Sequence, residues 1–215
     1  MKKLIEFTYQ SHYSVSHEPA FQEKEVWIVF HGYGQLAEFF IQKFLPYDNP
    51  DRLIIAPEGT NYSYLNGFQG RVGANWMTRH EREVAIENNH RFLDTLMENI
   101  LSKFEVAPVI HLLGFSQGAA TATRWVSRWS SRAKSLILWA GGFAQDLELE
   151  KVRDVFSDTR LVMVLGENDE LITPESIQKQ QELIDNLGKK VLRINFSGGH
   201  ELNAEILKKI FKSEI

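Results

Sequence analysis

Residues 108–123 read Pro-Val-Ile-His-Leu-Leu-Gly-Phe-Ser-Gln-Gly-Ala-Ala-Thr-Ala-Thr and carry the strongest structural signal in the chain. The apolar run over 109–113 is typical of a strand that is buried on both faces, and small residues at helical spacing follow Gly118. Ser116 therefore lies on a sharp strand-to-helix turn, which lifts its hydroxyl above the sheet as a nucleophile elbow does. Gly114 and Gly118 flank the serine because the backbone approaches itself closely on so tight a turn.

Apolar strands and helical patterns alternate on both sides of this turn. Four further central strands are predicted at 26–30, 53–56, 136–139 and 161–165. The segment 191–196 alternates apolar and polar residues, which is typical of a strand near a sheet edge. Residues 4–9 alternate in the same way, and we expect them to form an antiparallel edge strand. The succession of strands and helices predicts an α/β fold with a mostly parallel sheet.

Two later strands end in polar loops that contain an acid and a histidine. Asp169 follows the strand at 161–165, and His200 follows the strand at 191–196 after two glycines. The carboxyl ends of parallel strands meet at one edge of a sheet, so both side chains are expected near Ser116. A serine hydroxyl needs a base to take its proton, and an imidazole needs a carboxylate to fix its tautomer. The chain order Ser, Asp, His is the order that this topology uses, and it predicts a catalytic triad of Ser116, Asp169 and His200.

Each triad candidate has a structural alternative. Asp169 is also explained as a residue that shapes a turn, and His200 as a residue that caps the last helix. Glu167 and Glu170 are reserve candidates for the acid, because they lie in the same loop as Asp169. The catalytic alternative requires the side chains of the acid and of His200 to lie within hydrogen-bonding distance of each other and of Ser116, whereas the structural alternatives do not.

A tetrahedral oxyanion needs two backbone N–H donors. One normally belongs to the residue after the nucleophile, and the other lies in the loop after an early central strand. Gln117 and Tyr33 occupy those positions, the latter within His-Gly-Tyr-Gly at 31–34. His31 is interpreted as a partly buried histidine that bonds the loop backbone rather than as a proton-transfer group. His111 is interpreted as a core residue.

Four segments of the chain together resemble a known family. They are His-Gly-Tyr-Gly at 31–34, Gly-Phe-Ser-Gln-Gly at 114–118, Gly-Glu-Asn-Asp at 166–169 and Gly-His at 199–200. In this order they are similar to the landmarks of the α/β-hydrolase superfamily, and more narrowly of its carboxylesterase, lysophospholipase and acyl-protein thioesterase group. The resemblance implies a serine hydrolase without cofactor or metal, on a mostly parallel sheet of about eight strands with helices on both faces. Ala119 departs from the group, which often has a glycine at that position.

A long segment after the second central strand carries the candidate substrate contacts. Residues 58–77 are predicted as a loop that covers the site, because the segment is longer than connections in compact domains usually are. Four side chains are the candidate substrate-binding residues: Tyr64, Phe68, Trp76 and Met77. Alternatively, they pack the loop against the sheet. Arg71 and Arg79 are either contacts for a carboxylate or phosphate of the substrate or solvated surface residues. Thr-Arg-His-Glu at 78–81 matches a capping box and predicts the start of a helix.

The composition is that of a globular protein, and a single domain is expected over residues 1–215. Hydrophobic residues make up 43% and charged residues 24% of the chain, and a net charge of −4 gives no electrostatic reason to expect nucleic acid or an anionic membrane as partner. The absence of cysteine excludes disulfides, thiolate metal ligands and a cysteine nucleophile. The N-terminus lacks the apolar core of a signal peptide, and no run of about 18 apolar residues occurs. We therefore expect a cytoplasmic protein without stable membrane insertion, and homodimer formation is left open.

The predicted function is that of a serine hydrolase that cleaves a small-molecule carboxylic ester through an acyl-enzyme intermediate. Thioester, lysophospholipid and peptide bonds are alternatives within the class, because the same groups cleave them all. A ligand-binding or sensor module that has kept the hydrolase fold is the alternative outside the class. The intact set of three residues favours the enzyme, because a non-catalytic protein has no reason to keep all three.

Overall fold

Strands and helices alternate along the part of the chain that the structure describes. The computed structural model describes residues 1–214. The strands are β1 (Tyr13–Val15), β2 (Glu25–Phe30), β3 (Arg52–Pro57), β4 (Asn61–Asn66), β5 (Gln69–Asn75), β6 (Val109–Phe115), β7 (Ser135–Trp139), β8 (Arg160–Gly166) and β9 (Val191–Phe196). The helices are α1 (Ala37–Phe40), α2 (Arg82–Leu101), α3 (Gln117–Val126), α4 (Leu149–Val152), α5 (Pro174–Leu187) and α6 (Ala204–Phe211), with short 3₁₀ turns at Ile41–Lys43 and Leu45–Tyr47. Among these described elements, no helix is both long and apolar enough to cross a membrane.

Seven strands form the central sheet, in the order β1-β3-β2-β6-β7-β8-β9. β1 pairs with β3 antiparallel, and the other neighbouring strands of this sheet pair in parallel. The predicted α/β fold with a mostly parallel sheet is confirmed, although the sheet has seven strands rather than about eight. β6 lies in the middle of the sheet, so its carboxyl end is flanked by the ends of β2 and β7.

Alternate side chains of the central strands enter two apolar layers, one on each face of the sheet. In β2, Val26 and Ile28 face the layer formed with α2, α3 and α5, whereas Trp27 faces the layer formed with α1 and α6. Burial on both faces explains why the central strands read as continuous apolar runs. Each large side chain buried in this way stabilises the fold by roughly 1.5–3 kcal/mol. The packed sheet provides a rigid support for the loops at its carboxyl edge.

Residues 4–9 do not form the predicted edge strand. The antiparallel edge strand is β1 instead, in which Tyr13 is paired with Pro57 of β3. The N-terminal arm is held by side chains, including an ion pair of 3.0 Å between Glu6 and Arg91. The alternating pattern of the arm is compatible with a strand, but a strand needs a free neighbour, and β1 already occupies the place beside β3.

The segment 58–77 contains a β-hairpin rather than an irregular loop. β4 and β5 pair antiparallel in a separate two-stranded sheet, with Asn61 opposite Asn75. Asn66 pairs with Gln69, so the turn between them consists of Gly67 and Phe68, and the φ angle of Gly67 is 63°. Glycine adopts this left-handed conformation without strain, and glycine at the first central position of a two-residue turn is a known hairpin signal. The sequence therefore contained the signal that the loop prediction overlooked.

Helix α2 begins later than the capping box at 78–81 predicts. Glu81 has a φ angle of 50°, so the backbone there is left-handed and helical geometry starts at Arg82. The Thr78 hydroxyl donates to the His80 carbonyl at 3.3 Å and caps no helical amide. The capping-box motif at 78–81 thus lies in a turn that precedes the helix.

Candidate active site

Ser116 lies on the turn between β6 and α3 with its backbone in an unusual conformation. Its φ and ψ angles are 55° and −119°, outside the regions that L-residues favour. Such a conformation costs roughly 1–3 kcal/mol and persists because the surroundings enforce it. The Ser116 amide donates to the Trp139 carbonyl of β7 at 2.8 Å. A Cβ atom on Gly118 would lie 2.3 Å from the Phe30 carbonyl oxygen, so only glycine lets α3 pack this closely against β2.

Three polar side chains from different strand ends form a chain of hydrogen bonds. His200 Nε2 lies 2.8 Å from Ser116 Oγ, and His200 Nδ1 lies 2.8 Å from Asp169 Oδ2. Because a carboxylate only accepts, Nδ1 carries the proton, and Nε2 accepts from the serine hydroxyl. The Asp169 side chain is fully buried, and its other oxygen accepts from the Leu171 amide at 3.0 Å. The structure thus brings the three predicted residues within bonding distance of one another.

The loops that carry the acid and the histidine are bonded to each other. The Asn168 amide, in the loop after β8, donates to the Gly198 carbonyl, in the loop after β9, at 2.9 Å. The reserve acids Glu167 and Glu170 are exposed, whereas Asp169 is buried against the imidazole. Within the described part of this loop, Asp169 is thus the acid that contacts the histidine.

The amides of the loop after β2 differ in whether they have a partner. The Gly32 amide donates to Gln35 Oε1 at 2.8 Å, and the Gly34 amide donates to the β5 backbone at 2.8 Å. Across residues 1–214, no acceptor is found for the amide of Tyr33, nor for that of Gln117 at the start of α3. The first amides of a helix lack intrahelical partners and favour negative charge. The two amides that were predicted as oxyanion donors are therefore free to bind a ligand.

His31 lies beneath this loop as a neutral, buried residue. Its Nδ1 donates to the Gly32 carbonyl at 2.7 Å, and its Nε2 accepts from the Gly59 amide at 2.9 Å. Burial lowers the pKa of the imidazole, which keeps the ring uncharged. The ring also stacks on Trp76, with centroids 4.9 Å apart. His31 therefore bonds the loop backbone, as the sequence interpretation has it.

His111 lies away from the site, within the sheet. Its ring stacks on Trp27 with centroids 4.5 Å apart, and its Nδ1 lies 2.7 Å from the Ser135 hydroxyl. Burial lowers the pKa of His111 to about 4. These contacts make it a core residue, in agreement with the sequence interpretation.

The side chain of Gln117 joins the serine turn to the end of the hairpin. Its Oε1 accepts from the Trp76 amide at 2.9 Å, and its Nε2 donates to the Met77 carbonyl at 2.8 Å. Asn89 of α2 donates to the Trp76 carbonyl at 2.7 Å. The sequence motif predicts a role for the backbone amide of Gln117 alone and does not indicate this role of its side chain. No local pattern reveals it, because the partners are 40 and 41 positions away.

The four candidate substrate contacts lie in different environments. Trp76 is fully buried, and its Nε1 donates to the His31 carbonyl at 2.9 Å. The indole fills the core beneath the loop after β2, which agrees with the alternative that these side chains pack the segment against the sheet. Met77 is half-buried. Tyr64 is 51% exposed and Phe68, near the tip of the hairpin, is 97% exposed.

The chemistry of the arrangement follows from these contacts. A buried carboxylate that orients an imidazole, which accepts from a serine hydroxyl, is the arrangement that activates serine as a nucleophile. Free amides on adjoining loops are the groups that stabilise an oxyanion. Across residues 1–214, no group of three or more histidine, aspartate or glutamate side chains is placed to hold a metal ion. The mostly parallel sheet, with its helices on both faces, is compatible with the α/β-hydrolase superfamily, and a family model assigns the chain to it.

Within that superfamily, the chain belongs to the phospholipase/carboxylesterase family, whose model matches residues 12–213. The resemblance found in the sequence is thereby confirmed, and the chain belongs to a family of hydrolases. None of the curated proteins matches the sequence.

Several solved structures have a similar fold. Acyl-protein thioesterase 2 from Zea mays has a TM-score of 0.71 at 17% sequence identity, over 95% of this chain and 98% of that chain. A phospholipase/carboxylesterase from Dyadobacter fermentans has a TM-score of 0.69 at 18% identity, over 97% of this chain and 98% of that chain. Esterase PE8 has a TM-score of 0.68 at 20% identity, over 95% and 96% of the two chains. Sequence identities in this range support a shared fold, but they do not indicate which substrate this chain uses.

Proposed function

We propose that the protein is a serine hydrolase that cleaves carboxylic esters through an acyl-enzyme intermediate. The observation that carries the proposal is the hydrogen-bonded chain from Ser116 through His200 to Asp169, with both distances 2.8 Å. Ser116 is the nucleophile, His200 is the general base and acid, and Asp169 orients the imidazole. The amides of Tyr33 and Gln117 bind the oxyanion. Membership of the phospholipase/carboxylesterase family supports the same class of reaction.

In the first half of the reaction, His200 Nε2 takes the hydroxyl proton of Ser116 while Oγ forms a bond to the ester carbonyl carbon. The π electrons of the carbonyl move to its oxygen, where the amides of Tyr33 and Gln117 stabilise the charge. Collapse of this intermediate breaks the bond to the alcohol oxygen. His200 donates its proton to that oxygen, and the alcohol leaves.

In the second half, a water molecule gives a proton to His200 and attacks the acyl carbon. The same two amides stabilise the second oxyanion. Its collapse breaks the bond to Ser116 Oγ, which regains the proton from His200. The carboxylic acid is released, and the buried carboxylate of Asp169 steadies the imidazolium in both halves.

Thioester cleavage is the second candidate, because the same groups perform it and one of the similar structures is an acyl-protein thioesterase. Lysophospholipid cleavage would use the same residues with a lipid acyl group. A sensor module without turnover is the alternative outside the class. We also propose that the protein is cytoplasmic and does not insert stably into a membrane.

A fluorophosphonate probe tests the proposal, because it reacts with serine hydroxyls that a neighbouring base has activated. We expect one labelled peptide, containing Ser116, and loss of p-nitrophenyl butyrate hydrolysis in step with labelling. The variant His200→Gln and heat-unfolded protein serve as controls and should not be labelled. Absence of label on Ser116, or label on another serine, would contradict the proposal.

The Gln117 side chain is expected to position the oxyanion donors, because it joins the serine turn to the hairpin, and the hairpin bonds the loop after β2. Gln117→Ala should lower kcat for ester hydrolysis by about 10- to 100-fold with little change in KM, since the oxyanion forms only in the transition state. It should also lower the free energy of unfolding by about 1–3 kcal/mol, because two partly buried partners lose a hydrogen bond.

Two further variants separate positioning from folding. Gln117→Met keeps the length of the side chain but removes both hydrogen bonds, so its kcat should fall as far as that of Gln117→Ala if the hydrogen bonds, rather than the side-chain volume, position the donors. Gln145→Ala removes an exposed glutamine elsewhere and should leave kcat unchanged. Wild-type kcat in Gln117→Ala, measured on protein shown to be folded by circular dichroism, would exclude the positioning role.

A further inference from the structure

A groove lies beside the candidate site and has a volume of about 560 Å³. Its walls come from α1 and the following turn on one side and from β5 on the other, with Phe39 and Val72 as exposed apolar residues. We call it the β5 groove. It reaches Gly34, the residue after Tyr33, so one end adjoins the loop that carries a free amide. A substrate held at that amide has this groove as a neighbouring space.

Two cations, Lys43 and Arg71, line the β5 groove and are exposed. Neither has an ion pair or a hydrogen bond with any residue of 1–214. Six other arginines of the described chain have a carboxylate partner within 4.0 Å, whereas four further ones resemble Arg71 in having no such ion pair there: Arg79, Arg153, Arg160 and Arg193. Glu38 of α1 is exposed but does not line the groove. The groove therefore combines apolar walls with positive charge that the protein itself does not neutralise.

We propose that the β5 groove binds an anionic group of the ester substrate, a carboxylate or a phosphate, separated from the ester carbonyl by a short apolar chain. The inference rests on the proposed ester hydrolysis and specifies its substrate class. The apolar chain lies against Phe39 and Val72, and the anion meets Lys43 and Arg71. α1 rises about 1.5 Å per residue and the following 3₁₀ turn about 2.0 Å, so the backbone of Lys43 lies roughly 12 Å from that of Leu36 along the wall. The side chains of Lys43 and Arg71 are long enough to meet an anion that is held part of the way along it.

The substrate test compares esters that differ only in the terminal charge. The mono-p-nitrophenyl ester of adipate should have a KM about tenfold lower than p-nitrophenyl hexanoate, because two partly exposed ion pairs together contribute about that factor. The p-nitrophenyl ester of 5-phosphonopentanoate, which has the same four methylenes, forms the third arm and separates a carboxylate from a phosphate-type anion. Added salt should raise KM for the charged esters and leave the hexanoate ester unchanged, since exposed charges are screened.

The variant test uses matched neutralisations. Arg71→Gln and Lys43→Gln should each raise KM for the preferred charged ester about threefold, and together about tenfold, without changing kcat. KM for the hexanoate ester should stay at the wild-type value in all three. Lys190→Gln removes an exposed charge just before β9, at the opposite edge of the sheet, and serves as the control.

A binding experiment distinguishes the groove proposal from the proposed ester hydrolysis. Calorimetry with Ser116→Ala measures binding of the intact charged ester without turnover, and Arg71→Gln in that background should weaken it about threefold. Charged-ester binding that depends on Arg71, in a protein that hydrolyses no ester, would support the groove and overturn the proposed function. Ester hydrolysis with equal KM values for charged and neutral esters, unchanged in the groove variants, would overturn the groove proposal alone.

Discussion

Ser116→Ala is expected to lower kcat for ester hydrolysis by about 10⁴- to 10⁶-fold, because no other group can form the acyl-enzyme bond. KM should change little for a substrate whose binding does not involve the hydroxyl. The measurement is the initial rate of p-nitrophenyl butyrate hydrolysis at saturating substrate. Ser130→Ala, an exposed serine, is the control and should retain wild-type kcat.

The fold should survive the substitution. Alanine keeps the backbone strain of residue 116, since the φ angle of 55° is enforced by β7 and α3 rather than by the hydroxyl. The melting temperature of Ser116→Ala should therefore stay within a few degrees of wild type. Ser116 and His200 act as one unit, so the double variant Ser116→Ala/His200→Ala should be no slower than Ser116→Ala. Retained hydrolysis in Ser116→Ala would mean that another nucleophile performs the reaction.

The centre of the fold was predictable because its signals are local. Short contiguous patterns predict three of its elements: the strand before Ser116, the helix α3 with its small residues, and the apolar strand β8. The approach of Asp169 and His200 followed from one topological rule, since parallel strands place their carboxyl ends at one edge. In the structure, hydrogen bonds connect Ser116 to His200 and His200 to Asp169.

The periphery was less predictable because its structure depends on distant partners. Residues 4–9 alternate between apolar and polar side chains, as a strand does. They form no strand, because β1 occupies the position beside β3. Trp76 is apolar and close in sequence to the hairpin, but its burial depends on His31, which is 45 positions away. The β5 groove combines residues of α1 and β5 that no motif connects. The hairpin itself was the exception, because Gly67, at the first position of the two-residue turn, signals it locally.

Asp169→Asn is expected to lower kcat by about 10³- to 10⁴-fold with a small change in KM, because it reverses the tautomer of His200. One oxygen of Asp169 accepts from the Leu171 amide at 3.0 Å, which fixes where the carbonyl oxygen of an asparagine must lie. The NH₂ group of the asparagine then faces His200 Nδ1 and donates to it. The imidazole proton is forced onto Nε2, which can no longer accept the proton of Ser116.

The neighbouring carboxylates provide the matched control for this substitution. Glu167→Gln and Glu170→Gln remove the same charge from the same loop at exposed positions, so kcat should stay within about twofold of wild type. Nitrogen-15 NMR of the imidazole checks the cause directly, since Asp169→Asn should move the proton from Nδ1 to Nε2 in the free enzyme. If Glu170→Gln lost activity while Asp169→Asn retained it, the exposed acid would be the orienting group. The buried contact between Asp169 and His200 would then serve only to join the two loops.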